Sequence, residues 1–309
     1  TSLFKNVPIS AIIGDGTGIG NPNYKYFIFE ACEYKNHFLQ FTYDYLIITN
    51  IDFDHPDFFD NIEDVKRSFD KVSKKAKTII VNGDDENTKI ITHPHKFTFG
   101  LKETCDMRGI IDETTENGYK LIVTVDNKIY KLFLPFLGEY MIYNFLASLS
   151  VYYLEGLDMS VIQEKIIRFK NPKRRMEEHF YYDNIIIDDY AHHPTEIKAC
   201  LDAIKLKYPN KKLVVFFEPH TYTRTKALAE EFTKCFNNVD ELYVAKTFTS
   251  KREKYNRELE KEIREIFINS RVFNNSIISK IKDYHNSVIV FMGAGNIRKH
   301  IEKIMNLKR

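Results

Sequence analysis

Cysteine is scarce and never paired in this sequence. The 309 residues hold four, Cys32, Cys105, Cys200 and Cys235, and none form a C-x-x-C pair. This excludes the usual zinc spacings and a disulfide framework. It predicts reduced thiols in a cytoplasmic protein. An excess of one charge sign is also lacking. Forty-five Lys and Arg against 43 Asp and Glu leave a formal charge of +2, so charge gives no reason to expect a nucleic-acid partner. The basic pairs, such as Lys251-Arg252, are broken up by acids and read as solvated helix faces. No stretch approaches the ~18 apolar residues of a membrane span, so no membrane partner is expected. The opening TSLFKNVPIS has no initiator Met, and its apolar part is too short for a signal peptide. Internal repeats and low-complexity tracts are absent.

Apolar residues make up 43% of the chain, enough for sizeable cores, and the length favours two domains. AIIGDGTGIG, residues 11–20, places glycines at 14, 16, 18 and 20 after an apolar run. Such a loop suggests a phosphate cradle. A phosphate loop of the form G-x-x-x-x-G-K-[ST] needs a Lys that is missing here, and G-x-G-x-x-G fails at Ile19.

Tyr26–Glu30 and Tyr45–Asn50 are apolar runs with polar ends, which predicts buried parallel strands whose carboxyl ends carry function. Asn61–Lys74 has helical spacing, with Ile62, Val65, Phe69 and Val72 on one face. Lys77–Asn82 reads as a strand. Lys96–Leu134 alternates, with turn signals at Asn117-Gly118 and Asp126-Asn127, and predicts an antiparallel patch. Tyr140–Leu154 and Met159–Phe169 read as helices. Asn171-Pro172 breaks the pattern and marks a boundary between domains at 1–170 and 171–309. Strict strand–helix alternation follows. Strands are expected at Ile185–Asp188, Leu213–Phe217, Leu242–Ala245 and Val288–Met292, and helices from about Thr195, Thr223, Asn256 and Ile297. The prediction is an α/β protein with a doubly wound, Rossmann-like second domain.

Several motifs carry chemistry. FEACEYKNHF sets Glu30 and Glu33 past one strand. TNIDFDHPDFF sets Asn50, Asp52, Asp54, His55 and Asp57 past the next. Hard oxygens with one imidazole suit Mg²⁺ near phosphates, although a polar loop capping a helix would look the same. IIIDDYAHHPTEI ends a strand in Asp188 and Asp189, followed by Tyr190, His192 and His193. Pro194 suits a first helical turn, so a solvated helix start is the alternative for the histidines. FFEPHTYTRT brings His220 and Arg224 to another strand end, where Arg suits a carboxylate or phosphate. NPKRRMEE places Lys173, Arg174 and Arg175 at the domain junction, as an anion site or a solvated linker. FMGAGNIRK offers a glycine turn and a helix start to an anion.

In this order, with NGDDE and GEYMIYN between them, these motifs resemble the Mur ligases along essentially the whole chain. Within that family the resemblance is to the branch that joins L-alanine to UDP-N-acetylmuramate in peptidoglycan precursor synthesis. It implies a central ATPase domain over 1–170, a mostly parallel sheet with a small antiparallel patch, followed by a Rossmann-like ligase domain over 171–309. It implies ATP and Mg²⁺ as cofactors, phosphorylation of the lactyl carboxylate, and attack of the alanine amine on the acyl phosphate. By resemblance, Glu30 and His55 would hold Mg²⁺, and Asn144 would contact adenine. Arg175 would reach the γ-phosphate and act in catalysis with His192 and His193. Asp189 would bind the ribose, with Tyr190 close by. His192, His193, His220 and Arg224 would bind substrate.

Three features depart from the family pattern. The phosphate-loop Lys and its neighbouring Thr are absent, Tyr140 replaces the usual His, and Glu218 replaces the usual Gln. The chain is expected to begin just after the phosphate loop, with Thr1-Ser2-Leu3 continuing the helix behind it. A complementing N-terminal fragment would then be a partner. AIIGDGTGIG becomes a turn near the substrate cleft. A non-catalytic remnant and a related muropeptide ligase are the alternatives.

Overall fold

The structure, a computed structural model, describes residues 2–4, 7–14, 17–250, 252–274, 278–279 and 281–307. Thr1, Lys251, and Asp15 and Gly16 of the glycine-rich stretch lie outside the described residues. The chain divides into two compact units, Thr1–Lys170 and Asn171–Arg309.

The first unit opens with a small three-stranded sheet. Strand β1 (Ile9–Ile12) pairs with β2 (Gly18–Ile19) antiparallel and with β3 (Tyr26–Phe29) in parallel. Of the glycine-rich stretch, Ala11 pairs with Ile19 and Ile12 with Gly18. YFIFE is not a buried strand of the main sheet: β3 is partly exposed, and Phe27 points outward.

The main sheet of this unit has the order β4 (Tyr43–Ile48), β5 (Ala76–Asn82), β6 (Lys96–Gly100), β7 (Met107–Thr115), β8 (Gly118–Val125), β9 (Lys128–Leu134) among the described residues. The antiparallel patch is smaller than the alternation suggested, because β6 pairs in parallel with both β5 and β7. Only the two hairpins β7–β8 and β8–β9 are antiparallel. Asp126 and Asn127 both take positive φ, 45° and 58°, as a tight primed turn requires.

Each face of the sheet is covered by one long helix. Helix α1 (Ile62–Ser73) is capped by Asn61, whose side chain accepts from the Asp64 amide at 3.1 Å. It packs Val65 and Val72 with Ile79, Val81 and Phe38. Helix α2 (Glu139–Leu154) packs Ile142, Phe145, Leu146 and Leu149 with Ile80, Phe99 and Leu121. The last predicted helix is shorter than expected, a 3-10 turn Met159–Val161 leading into α3 (Ile162–Ile167).

The second unit is a twisted sheet ordered β10 (Glu177–Tyr181), β11 (Asn184–Asp189), β15 (Ser287–Met292), β12 (Lys212–Phe217), β13 (Glu241–Val244), β14 (Arg271–Val272). All pairs are parallel except β10–β11. The alternation is therefore not strict, because a hairpin with an exposed Tyr182 at its turn precedes the first helix. The helices are α4 (Pro194–Lys207), α5 (Tyr222–Ala227), α6 (Ala229–Cys235), α7 (Arg257–Ile266) and α8 (Arg298–Leu307). Ile185–Ile187, Val214–Phe217 and Val288–Met292 are continuous buried runs, as strands covered on both faces must be. No helix among the described residues is long and apolar enough to cross a membrane.

Candidate functional site

In the first unit the loops after β3 and β4 bring Glu33, Asp54 and His55 together, with one ligand atom from each within 4.8 Å of the others. His55 Nε2 lies 3.0 Å from Glu33 Oε1 and 3.8 Å from Asp54 Oδ2. Burial raises the Glu33 carboxyl, but the hydrogen bond and charge of His55 and a backbone amide outweigh it, leaving the carboxyl below its ordinary range. His55 has φ 57°, an uncommon backbone state that the surrounding loop must impose.

The start of this loop is held by NGDDE and the residue after it. Asn82 donates to the Thr49 carbonyl at 2.9 Å, Asp85 accepts from the Ile51 amide at 2.7 Å, and Asn87 donates to the Ile51 carbonyl at 2.8 Å. Two carboxylates and an imidazole fit part of the shell of a hard divalent cation, with water or phosphate oxygens completing it. Glu30 does not join this cluster. It sits exposed beyond β3, and its carboxylate occupies the place a side chain on Gly14 would need. Asn144 lies exposed on α2.

In the second unit the site is built at the carboxyl end of β11. Asp188 and Asp189 are both buried, 0% and 2% exposed. Asp188 faces Arg298 Nε at 3.3 Å and Arg174 Nε at 3.6 Å. Burial still pushes its carboxyl up against these two charges. Asp189 does not present an exposed carboxylate to a ribose. Its two oxygens accept from the amides of Met176 and Ala191, each at 2.8 Å, and so strap the Arg-rich loop to the strand end. Tyr190 lies beneath the guanidiniums of Arg174 and Arg175, with centroid distances of 4.8 and 5.6 Å.

The paired histidines have separate tasks. His193 is the N-cap of α4: its ring accepts from the Thr195 amide while Glu196 closes the capping box. This is the local reason for the helix start. His192 is held between the Tyr190 carbonyl and Glu196, with Nδ1 3.1 and 3.3 Å from their oxygens. Its ring meets that of His220 edge-on at 5.4 Å. His220 Nδ1 lies 3.0 Å from Nη1 of the buried Arg224. Arg175, expected near a γ-phosphate, pairs with Glu196 at 3.4 Å. Glu196 therefore joins two candidate residues, Arg175 and His192.

The glycine turn of FMGAGN is not an open anion cradle. The Glu218 carboxylate reaches the Ile297 amide at 3.3 Å, and a Cβ on Gly295 would fall 2.1 Å from Glu218 Oε2. Likewise, the first amides of α5, those of Tyr222 and Thr223, donate to Glu253 at 2.6 and 3.0 Å.

The chain thus pairs a sheet-based unit carrying a carboxylate–imidazole cluster with a Rossmann-like α/β unit whose β11 end is lined by Arg and His. The Mur ligase middle domain matches residues 19–152, and the domain described as Mur ligase, glutamate ligase domain matches 174–295. The chain is 39% identical over 295 residues to the UDP-N-acetylmuramate–L-alanine ligase of Pediococcus pentosaceus, covering 94% of this chain and 68% of that protein. Its identity to the ligase of the same name from Ligilactobacillus salivarius is also 39%, over 95% of this chain and 67% of that protein. Among solved structures it superposes on UDP-N-acetylmuramate-alanine ligase MurC from Thermotoga maritima with a TM-score of 0.79 at 22% identity, covering 99% of this chain and 71% of that one. It also superposes on the MurF ligase of the same organism in complex with ADP, with a TM-score of 0.75 at 18% identity, covering 100% and 76%. The chain belongs to the Mur ligase family.

Proposed function

We propose that this chain serves an ATP-dependent ligase that joins L-alanine to the lactyl carboxylate of UDP-N-acetylmuramate in peptidoglycan precursor synthesis. The observation that carries this reading is the 39% identity, over 94% of the chain, to enzymes with that name.

Condensing a carboxylate with an amine in water is uphill. ATP would supply the driving force by phosphorylating the carboxylate, and the alanine amine would displace phosphate from the acyl phosphate. The chemistry asks mainly for charge neutralisation and positioning. Bound Mg²⁺ would neutralise phosphate oxygens. His55 with Glu33 and Asp54 would hold it, and Glu30 is the further carboxylate that the family resemblance assigns to it. Asn144 would contact adenine, Asp189 and Tyr190 would face the ribose side, and Arg175 would reach the γ-phosphate on leaving Glu196. His192, His220 and Arg224 would receive the amino acid and the muramyl group, with His193 supporting them through the helix start.

The test is ADP release that depends on both UDP-N-acetylmuramate and L-alanine, measured with this chain and, separately, after addition of the N-terminal part of a related ligase. Turnover that needs both substrates supports the reading. ADP release indifferent to L-alanine, or dependent on another amino acid, overturns it. Calorimetric titration with Mg·ATP tests the nucleotide site on its own. Micromolar binding is expected for a ligase, whereas a non-catalytic remnant would give none.

A further inference from the structure

We infer that Tyr34 and Asp57 are positioning residues of the cation cluster. The Tyr34 ring holds the His55 imidazole in its ligating orientation, and the Asp57 carboxylate fixes that ring through its hydroxyl instead of serving as a cation ligand. The inference rests on the cation reading of Glu33, Asp54 and His55 given above, and is independent of which amino acid the ligase takes.

The converging ligand atoms come from two separate loops. Glu33 follows β3, whereas Asp54 and His55 follow β4. Tyr34 is the residue after Glu33 and opens a short 3-10 segment, Tyr34–Gln40. Lys35 and Asn36 take left-handed φ of 53° and 58°, and the Asn36 amide donates to the Glu33 carbonyl at 2.8 Å. The chain thus bends sharply just past Tyr34. Glu33 and Tyr34 then reach the same imidazole at two places. Glu33 Oε1 lies 3.0 Å from Nε2. The Tyr34 ring lies against the imidazole, with centroids 4.6 Å apart and planes inclined by 37°.

Tyr34 also grips the turn that carries His55. Its hydroxyl donates to Asp57 Oδ2 at 2.7 Å, and Phe58 meets its ring edge-on at 6.1 Å. His55, Asp57 and Phe58 belong to one turn, since the Phe58 and Phe59 amides both donate to the His55 carbonyl, at 2.8 and 2.9 Å. Tyr34 therefore joins the loop that supplies Glu33 to the turn that supplies His55. The ring torsion of a histidine is broad and weakly defined by its own chain. A tilted aromatic ring at this distance narrows it by packing, and leaves Nε2 to the carboxylates. Outer partners that orient a ligating imidazole raise cation affinity without adding a ligand.

Asp57 is the residue whose assignment changes. In the sequence it stands beside Asp52, Asp54 and His55 as one more hard oxygen donor. In the fold it is exposed and bonded to Tyr34, and the converging group found among the described residues is Glu33, Asp54 and His55. Asp54 shows the contrast. Its Oδ1 accepts from the His55 amide at 2.6 Å, while its Oδ2 lies 3.8 Å from His55 Nε2. One carboxylate of the turn is thus placed at the ligating nitrogen and the other at the ring that steadies it.

Mn²⁺ titration of the whole chain, read by loss of the free-ion resonance signal, separates a clamp from a ligand. About 0.2 M KCl screens the exposed Asp57 charge. Tyr34→Phe removes the hydroxyl and keeps the ring, and Asp57→Ala removes its acceptor. Each should weaken binding by about two- to tenfold, the worth of one hydrogen bond. The double variant should bind no worse than the weaker single one, because both changes break the same bond. Asp57→Asn keeps an acceptor for the hydroxyl and should recover part of the loss. Tyr34→Leu removes the ring and should weaken binding by about tenfold or more. Proton spectra of the metal-free chain give a second readout. The His55 ring signal, identified by its loss in His55→Gln, should hold its position in Tyr34→Phe and move in Tyr34→Leu as the ring current disappears. An Asp57→Ala loss that adds in full to that of Tyr34→Phe makes Asp57 a ligand and overturns the inference. So does wild-type affinity, or an unmoved His55 signal, in Tyr34→Leu. If Tyr34→Leu does not fold, the Tyr34→Phe and Asp57→Ala pair decides. If the wild-type chain takes up no Mn²⁺, the cation reading and this inference fall together, while the ligase reading is judged separately by ADP release.

Discussion

The Glu218 carboxylate lies 3.3 Å from the Ile297 amide, inside the glycine turn that leads into α8. The protein's own anion thus fills the place that the turn and helix start would offer to a ligand. Burial raises its carboxyl above the ordinary glutamate range, against the pull of the Asn296 and Ile297 amides. A carboxyl raised on folding binds its proton more tightly when folded. Its contribution therefore favours the fold at acid pH and is lost as pH rises from the ordinary glutamate range through the raised value. Glu218→Gln keeps the shape without the charge. Thermal unfolding is expected to show this variant more stable than wild type at neutral pH, with the gap closing below about pH 4. A gap independent of pH would rule out the charge as the cause.

Asp85 has a mechanical role that reaches beyond its own turn. Its bond to the Ile51 amide, with those of Asn82 and Asn87, fixes the loop carrying Asp54 and His55. Asp85→Ala leaves that partly buried amide unsatisfied and should cost about 1–3 kcal/mol by urea unfolding. Mn²⁺ binding, followed by the loss of the free-ion resonance signal, should weaken about tenfold. Unchanged affinity would mean that the loop holds its shape without the clamp.

The cation cluster itself is tested by His55→Gln and Glu33→Gln. Each removes one of the converging ligand atoms, and each should weaken Mn²⁺ binding by about 10- to 100-fold in the same titration. A variant that keeps wild-type affinity removes its residue from the coordination set.

Gly118 is required by its position. It has φ 149°, and a Cβ there would stand 1.9 Å from the Leu134 carbonyl oxygen on the paired strand. Gly118→Ala must part β8 from β9 locally, and should destabilise the first unit by about 2–4 kcal/mol in urea unfolding. A neutral result would show that the hairpin can shift its register.

Much of the fold was legible because its signals are local. Continuous apolar runs announced β5, β11, β12 and β15, and Asn61 and Pro194 marked the helix starts. The strand ends that carry chemistry could be named for the same reason, since polar residues after a buried parallel strand must lie at one edge of the sheet. Pairing was harder to read. Lys96–Gly100 alternates like an antiparallel strand yet runs parallel to both neighbours, because alternation reports which face is buried and not the direction of the partner.

The sequence by itself determined the family, the order of the elements and the set of acids, histidines and arginines brought to the strand ends. Tertiary structure alone decided which of them are already engaged. Asp189 and His193 each hold backbone amides, Glu218 fills the glycine turn, and Glu33 converges with Asp54 and His55. The physical reason is that a hydrogen bond between residues far apart in the chain leaves no periodicity behind. Which nitrogen of an imidazole carries the proton depends on a neighbour's donor or acceptor character, and that neighbour is set only when the chain has folded.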